Sequence, residues 1–311
     1  LGMQVVITDH HECHDTLPDA DAVVDYKRPD CTYPFDSLAG VGVAFKLICA
    51  LEGDTDAVLD RYADLIALGT VADVMPIVGE NRIIVAAGLK KMAETSNVGL
   101  EMLLREAGMK HKHLTSSTIS FVLAPRINAA GRMGQAELAA ELFLTHDPVR
   151  AQALAARLCE QNKLRQNEEN QILTQALVRL RKEYNPLEDK IIVMAGKGWH
   201  HGVIGIVCSR LCDRYGCPVV LISIDEDGTG KGSGRSVKGF NLFEALSSCS
   251  DLLERYGGHE LAAGLTVSAD RVDELRARLR AYAEEHVSMA ELVPQQNIDC
   301  MVRPEWLTMA N

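Results

Sequence analysis

Residues 149–184 run with few helix breakers, and this stretch constrains the fold most. Leu154, Leu158, Leu164, Ile172, Leu173, Leu177 and Leu180 recur at helical spacing and give it an apolar stripe. A helix this long most simply joins two domains. Asn162, Arg165, Gln166 and Glu169 form a polar face on it, which reads as a solvated surface. The 311-residue chain has room for a domain on each side.

Before this helix, Val5-Val6-Ile7-Thr8 reads as a buried β-branched strand. It stops in Asp9-His10-His11, three side chains that bind metals or move protons. Sites in parallel α/β sheets gather at the carboxyl ends of strands. On this triplet alone a capped strand end is the simpler reading. A short strand is expected at 22–24, then helices at 40–51 and 56–68, the second ending at Gly69. That places Asp73 alone in an apolar loop, where it either caps a helix or meets a cation. Helices follow at 82–92 and 100–106. Residues 121–134 read as a packed loop in which Arg126, Asn128 and Arg132 stand among small residues. Guanidinium groups so placed suit phosphate or carboxylate oxygens.

A second α/β unit follows the long helix. Strands are expected at 190–195 and 218–224, with a helix at 202–215 between them that Gly216 stops. The glycine-rich run 228–236 reads as a loop whose N–H groups can cradle anions. Lys231, Arg235 and Lys238 make it the clearest basic patch in the chain. It is not a Walker loop, because the GK[ST] ending is absent, and Asp225-Glu226-Asp227-Gly228 lacks the later ligands of a calcium loop. Helices are expected near 242–247, 251–256 and 271–286. Gly257-Gly258-His259 implies a backbone packed against something with an imidazole aimed at it; taken alone, the motif reads as a core or turn histidine. Residues 297–302 look like the first strand of a further domain.

Composition bounds the reading. With 47% hydrophobic and 24% charged residues, this is the make-up of a soluble globular protein. No apolar run is long enough to span a bilayer and no targeting segment opens the sequence. Nine cysteines without paired spacing suit a reducing cytoplasm, and Cys208, Cys212 and Cys217 fit core packing better than a zinc site. A net charge of −11 argues against a generally basic nucleic-acid binder. It leaves room for an enzyme that holds phosphates in one local basic cleft.

Taken together, these stretches resemble the DHH phosphoesterase superfamily, and within it the RecJ-type single-strand-specific exonucleases. The resemblance rests on Ile7-Thr8-Asp9-His10-His11-Glu12, Leu38-Ala39-Gly40-Val41-Gly42-Val43-Ala44, Gly69-Thr70-Val71-Ala72-Asp73-Val74-Met75-Pro76 and Arg126-Ile127-Asn128-Ala129-Ala130-Gly131-Arg132. Trp199-His200, Gly202-Val203-Ile204-Gly205-Ile206-Val207, Gly232-Ser233-Gly234-Arg235-Ser236 and Gly257-Gly258-His259 with Ala262-Ala263-Gly264 add the pattern of a DHHA1 substrate domain. The family's Asp-x-Asp metal motif precedes the His pair and has no counterpart before Asp9, so the sequence reads as a piece of a longer protein.

The resemblance implies an α/β protein: an incomplete parallel-sheet DHH domain over 1–148, a connecting helix over 149–186 and a smaller α/β DHHA1 domain over 187–288. Residues 289–311 would begin a further, OB-like domain. It also implies a metal-dependent 5′-to-3′ exonuclease on single-stranded DNA, acting in DNA repair and recombination. Two Mn²⁺ or Mg²⁺ ions would bridge the scissile phosphate and lower the pKa of the attacking water. His10 and Asp73 would be metal ligands, with other carboxylates missing here. Asp9 would orient His10, and His11 would support the site. Arg126, Asn128, Arg132, His200, Ser233, Arg235, Ser236, Gly257, Gly258 and His259 would hold substrate. A single-strand-binding protein or a helicase would be a further partner. The rival expectations are an oligonucleotide hydrolase or nucleotide phosphatase, and a fragment that holds single strands without cutting them.

Overall fold

In the computed structural model, residues 2–13, 16–110, 112–185, 188–288, 298 and 300–308 are described. The chain divides into two compact units, Leu1–Arg165 and Gln166–Asn311.

The first unit opens with two short parallel strands, β1 (Val6–Thr8) and β2 (Ala22–Val24), paired Val6 to Ala22 and Thr8 to Val24. β1 is not buried: Val6 is 57% exposed, so its β-branched run reflects strand propensity rather than core packing. Helices α1 (Gly40–Glu52), α2 (Thr55–Ala72), α3 (Gly79–Met92) and α4 (Val98–Glu106) follow. Asp54 caps α2 by accepting from the Ala57 N–H at 3.0 Å. Gly69 does not end α2, as the sequence suggested. A Cβ there would lie 2.7 Å from Val41 Cγ1, so the glycine lets α1 and α2 cross closely inside a continuous helix. The helix ends at Asp73, and Val74 then takes φ 58°, a strained value for a β-branched residue.

The stretch expected as an Arg-bearing loop is helical. After one turn, α5 (Ser116–Thr118), the backbone widens into a π-helix at Ile119–Leu123 and continues as α6 (Ala124–Arg132). Pro125 sits where the π turn passes into α6, and the wider turn accommodates a residue with no N–H to give. α7 (Ala136–Leu144) leads to α8 (Pro148–Glu183), the long helix read from the sequence. The boundary between the two compact units falls inside α8, so it is not a segment separate from both. Leu154 and Leu158 are fully buried with Leu100, Leu103, Ile119, Leu123 and Leu142 in the core of the first unit. Each such leucine contributes about 1.5–3 kcal/mol by leaving water.

The buried face of α8 continues through Asn162, Arg165 and Glu169 before reaching Ile172, Ala176 and Leu180. Three residues expected on a solvated surface are therefore interior, and Leu164, assigned to the apolar stripe, is 44% exposed. Arg165 donates to Asn162 Oδ1 at 2.7 Å, and Glu169 accepts from Arg210 at 2.7 Å. Pairing is what makes such burial tolerable.

The second unit is a five-stranded sheet in the order β3-β4-β5-β7-β6. β3 (Ile192–Lys197) and β4 (Val219–Ile224) are parallel, joined through α9 (His201–Tyr215). Every other pairing is antiparallel. Gly216 closes α9 at φ 66°. Asp225–Gly228 form the turn of the β4–β5 hairpin, with Gly228 at φ 85°. The glycine-rich run is β5 (Thr229–Arg235), a central strand rather than a loop. A Cβ at Gly230, Gly232 or Gly234 would come within 2.8 Å of Val267 O, Leu265 Cγ or Leu242 Cδ2 respectively. Small residues are needed on this face of β5 because its neighbours press on the backbone. α10 (Leu242–Ser247) lies where expected. Residues 251–256 do not form a helix: after a 3₁₀ turn they become β6 (Leu253–Gly258), which pairs with β7 (Ala262–Ser268). α11 (Val272–His286) packs with α10 over one face of the sheet, burying Leu275 and Leu279 against Val193, Val220 and Ile222. α9 covers β4 and β5 from the other face.

Cys208, Cys212 and Cys217 are buried, and desolvation pushes their thiols up to about 12, 11 and 11. They pack the core, as expected. Of the strand expected at 297–302, Asn297 and Asp299 lie outside the described residues, and the others have no regular structure. Among the described residues no helix is long and apolar enough to cross a membrane.

Candidate metal centre and substrate surfaces

At the end of β1, the Asp9 N–H bonds Val24 O at 3.1 Å and turns the chain away from the sheet. Asp9 Oδ1 then accepts from the His10 N–H at 2.7 Å, the His11 N–H at 3.3 Å and His11 Nδ1 at 2.8 Å. The backbone bond from His10 and the ring bond from His11 hold this carboxyl below its usual range. Asp9 thus orients the ring of His11, not that of His10, whose Nδ1 is 3.8 Å away. His10 is fixed otherwise. A Cβ on Gly40 would sit 3.2 Å from His10 Nδ1, so the first residue of α1 must be small beside the ring. The Tyr26 hydroxyl donates to Leu38 O at 2.7 Å and lies 3.5 Å from His10 O. Burial pushes that phenol up to about 12.

His10 Nε2 faces Asp73 Oδ2 at 2.9 Å. Asp73 also caps α2, its N–H bonding Gly69 O at 3.0 Å, which is the capping role the sequence offered. The ligand atoms of Asp9, His10 and His11 lie within 4.8 Å of one another. Imidazole nitrogens and a carboxylate oxygen this close together suit the ligand set of a divalent cation, and Asp73 joins them by direct contact with His10.

Asp73 also lines a pocket of about 570 Å³ with Gly69, Asn128, Gly131 and Arg132. α6 thus brings two of its three expected substrate residues to the acid. Arg126 is not among them. Its Nη1 donates to Val122 O at 2.6 Å and its Nε to Cys159 Sγ at 3.3 Å, tying the π-helix to α8.

In the second unit, His200 caps α9 by accepting from the Gly202 N–H at Nδ1, 3.1 Å, and stacks on His201. α9 passes β5 at Gly205, where a Cβ would be 2.9 Å from Ser233 Oγ and 3.4 Å from Arg235 Nη2. Arg235 donates to Gly234 O at 2.7 Å and to Ser233 Oγ at 3.3 Å. Lys231, counted in a basic patch, pairs with Asp225 at 3.4 Å, which removes it as a free cation. Ser236 Oγ donates to Phe240 O at 2.7 Å, a turn-closing bond.

Register aligns Ser233 with Gly264, and Gly264 with Gly257, across three neighbouring strands. Gly257 has nothing within 4 Å of an added Cβ, and at Gly264 the nearest atom is 3.8 Å away. The two glycines leave an open backbone track beside Ser233. Gly258, at φ 140°, is different: a Cβ would meet Ala262 O at 2.3 Å. The His259 N–H closes the β6–β7 turn on Ala262 O at 2.8 Å. Gly264 and Gly40 were missed as site residues. Both stand in runs that carry the family resemblance, Leu38–Ala44 and Ala262–Gly264, but their place beside His10 and Ser233 emerges only from helix placement and strand register.

A strand ending in Asp-His-His, answered by an acid at a helix end and followed by a glycine-tracked mixed sheet, defines a DHH phosphoesterase with a DHHA1 unit. Family models agree: the DHH family N-terminal domain matches residues 1–70 and the DHHA1 domain matches 188–285. The chain is 43% identical over 99% of its length to the single-stranded-DNA-specific exonuclease RecJ of Bacillus subtilis, of which it spans 39%. A crystal structure of exonuclease RecJ bound to manganese is 38% identical with a TM-score of 0.79, covering 94% of this chain and 71% of that one. RecJ of Thermus thermophilus in complex with Mn²⁺ gives 38% and 0.79, covering 91% and 42%. This chain belongs to the RecJ family.

Proposed function

We propose that the chain is the core of a metal-dependent exonuclease that hydrolyses phosphodiester bonds of single-stranded DNA from the 5′ end, releasing mononucleotides in DNA repair and recombination. The observation that carries this reading is the approach of His10 Nε2 to Asp73 Oδ2 at the end of β1, beside a pocket lined by Asn128 and Arg132. His10 and Asp73 would hold Mn²⁺ or Mg²⁺. Such cations, when bound, make water a better nucleophile and neutralise charge developing on the phosphate. In this reading Asp9 would keep the His11 ring at the site, and Arg132 and Asn128, which line the pocket with Asp73, would take phosphate oxygens. Ser233, Arg235 and the Gly257–Gly264 track would carry the strand in the second unit, with His200 and His259 at its borders.

Single strands arise where a helicase or a single-strand-binding protein acts, so either is a fitting partner, and the cytoplasm a fitting place. A second reading, strand binding without hydrolysis, is favoured by the glycine track, which needs no metal. The test is hydrolysis of 5′-labelled single-stranded DNA with Mn²⁺ by the full-length protein that contains this chain, its His10→Ala variant and its Asp73→Ala variant. Loss of cleavage with retained DNA binding in both variants supports the nuclease. Cleavage unchanged in either variant would remove that residue from the metal site. Binding without metal-dependent cleavage in the unaltered protein would favour the second reading.

A further inference from the structure

β3 is an edge strand, and its outer edge is lined by arginines. Arg179 of α8 donates through Nη1 to Ala195 O at 2.6 Å, and Arg276 of α11 donates through Nε to Val193 O at 3.0 Å. Val193 and Ala195 are two apart, so their carbonyls point the same way, off the sheet. These bonds blunt an edge that could otherwise pair with another chain. They also fix the planes of two guanidinium groups around a cavity of about 330 Å³, which Arg280 enters from the next turn of α11.

The charges there are poorly matched. Glu183 stays 3.6 Å from Arg179, and Asp189 stays 3.6 Å from Arg280, both beyond hydrogen-bond reach. Only Arg276 meets a carboxylate closely, Asp273 at 2.5 Å, and that aspartate's side chain is 90% exposed. Three like charges around one cavity repel one another, and Glu183 and Asp189, each 3.6 Å from its arginine, offset this only in part. Edge protection accounts for Arg179 and Arg276 but not for Arg280, which bonds no β3 carbonyl among the described residues. Leu180, Tyr184, Ile192 and Met194 line it too, an apolar surface beside the cations, and among the described residues Glu183 is the one acid in the wall. Its volume lies at the lower end for small-molecule sites. Guanidinium forks suit the oxygens of a phosphate.

We propose that this cavity beside β3 binds a small phosphate monoester, a nucleoside monophosphate or inorganic phosphate itself, through Arg179, Arg276 and Arg280. The site lies within the second unit and uses none of the residues assigned to hydrolysis or to the strand.

The test titrates the chain with deoxyadenosine monophosphate and, separately, with inorganic phosphate. It follows the arginine Nε–Hε NMR signals. Saturable shifts are expected for Arg179, Arg276 and Arg280. Arg280→Gln is expected to weaken binding roughly tenfold or more, the loss of a charge-assisted contact. Because Arg280 guards no edge carbonyl, the variant is expected to melt like the parent, and a purely edge-protecting role predicts no change in its titration. Tighter binding of the nucleotide than of phosphate assigns the apolar wall to the nucleoside, and equal affinities assign the site to phosphate alone. Unshifted signals at millimolar ligand, or an Arg280→Gln variant that titrates like the parent, would overturn the proposal. The readout is binding in the second unit, so the outcome of a nuclease assay leaves it untouched.

Discussion

His10 Nε2 and Asp73 Oδ2 lie 2.9 Å apart, one at the carboxyl end of β1 and the other at the C-terminal cap of α2. The acid expected to be costly in an apolar loop is in fact 45% exposed at its side chain, so its desolvation is modest. What holds it is geometry: the helix cap fixes its backbone, and Gly40 leaves room for the ring that meets it.

If His10 and Asp73 hold the divalent metal as proposed, binding depends on both. Manganese titration followed by electron paramagnetic resonance is expected to show His10→Ala and Asp73→Ala weakening Mn²⁺ binding by tenfold or more, with unchanged circular dichroism. Asp9→Ala is expected to act less directly, through a misplaced His11, within the roughly 10–100-fold range for groups that orient ligands. Equal Mn²⁺ affinity in the parent and in His10→Ala would count against the assignment of His10.

The glycines of the second unit separate into structural and open ones. Gly234→Ala drives a methyl to 2.6 Å from Leu242 Cδ2 and is expected to destabilise by about 1–3 kcal/mol. Gly257→Ala meets nothing within 4 Å and is expected to leave stability within about 0.5 kcal/mol of the parent. If the track carries a strand, Gly257→Ala still weakens binding of single-stranded DNA. Urea denaturation and oligonucleotide titration of both variants measure the two effects. A Gly257→Ala variant that binds like the parent would empty the track of its role.

The same glycines show why part of the fold was hidden. Residues 228–236 read as a loop because glycine carries no strand propensity. What makes β5 a strand is the press of Leu265, Leu242 and the Val267 carbonyl, none of which local sequence reveals. Gly69 misled in the same way, its neighbour Val41 lying on another helix. Asn162, Arg165 and Glu169 follow the 3.6-residue spacing of buried positions, but their polarity argued for solvent. The candidate metal residues were legible because the Asp9-His10-His11 triplet carries chemistry in its side chains. That Asp9 serves His11 rather than His10 needed coordinates.

Glu80 gives a pH dependence away from the metal centre. Burial pushes its carboxyl up, but hydrogen bonds with Lys46 at 2.5 Å and Tyr33 at 2.6 Å outweigh this and leave it below its ordinary 4.5. A carboxyl held below its unfolded value stabilises the fold above that value, and the contribution disappears as pH falls through the folded one. Glu80→Gln is thus expected to be less stable than the parent at neutral pH, by about 1 kcal/mol or less for so accessible a pair. The gap should close below pH 4.5. Denaturation midpoints across this range measure it, and a gap that widens on acidification would contradict the assignment.

Arg235 tests how an acidic protein holds DNA. The chain carries a net charge of −11, so a strand is repelled by most of its surface. On β5 the candidate cations are Lys231 and Arg235, and Lys231 is already matched by Asp225. Arg235 instead donates to Gly234 O and Ser233 Oγ, bonds that position its guanidinium without neutralising it. It stands on the same face of β5 as Ser233, whose register leads to Gly264 and Gly257. A phosphate contact there releases counterions, so Arg235→Ala is expected to weaken binding for all sequences alike. It should also flatten the salt dependence by roughly 0.7 in log–log slope, the value per phosphate for single strands. A base-reading role would instead change sequence preference and leave the slope intact. Titration of labelled oligonucleotides of several sequences at several salt concentrations separates the two. An unchanged affinity and slope in Arg235→Ala would show that β5 holds no phosphate through this residue.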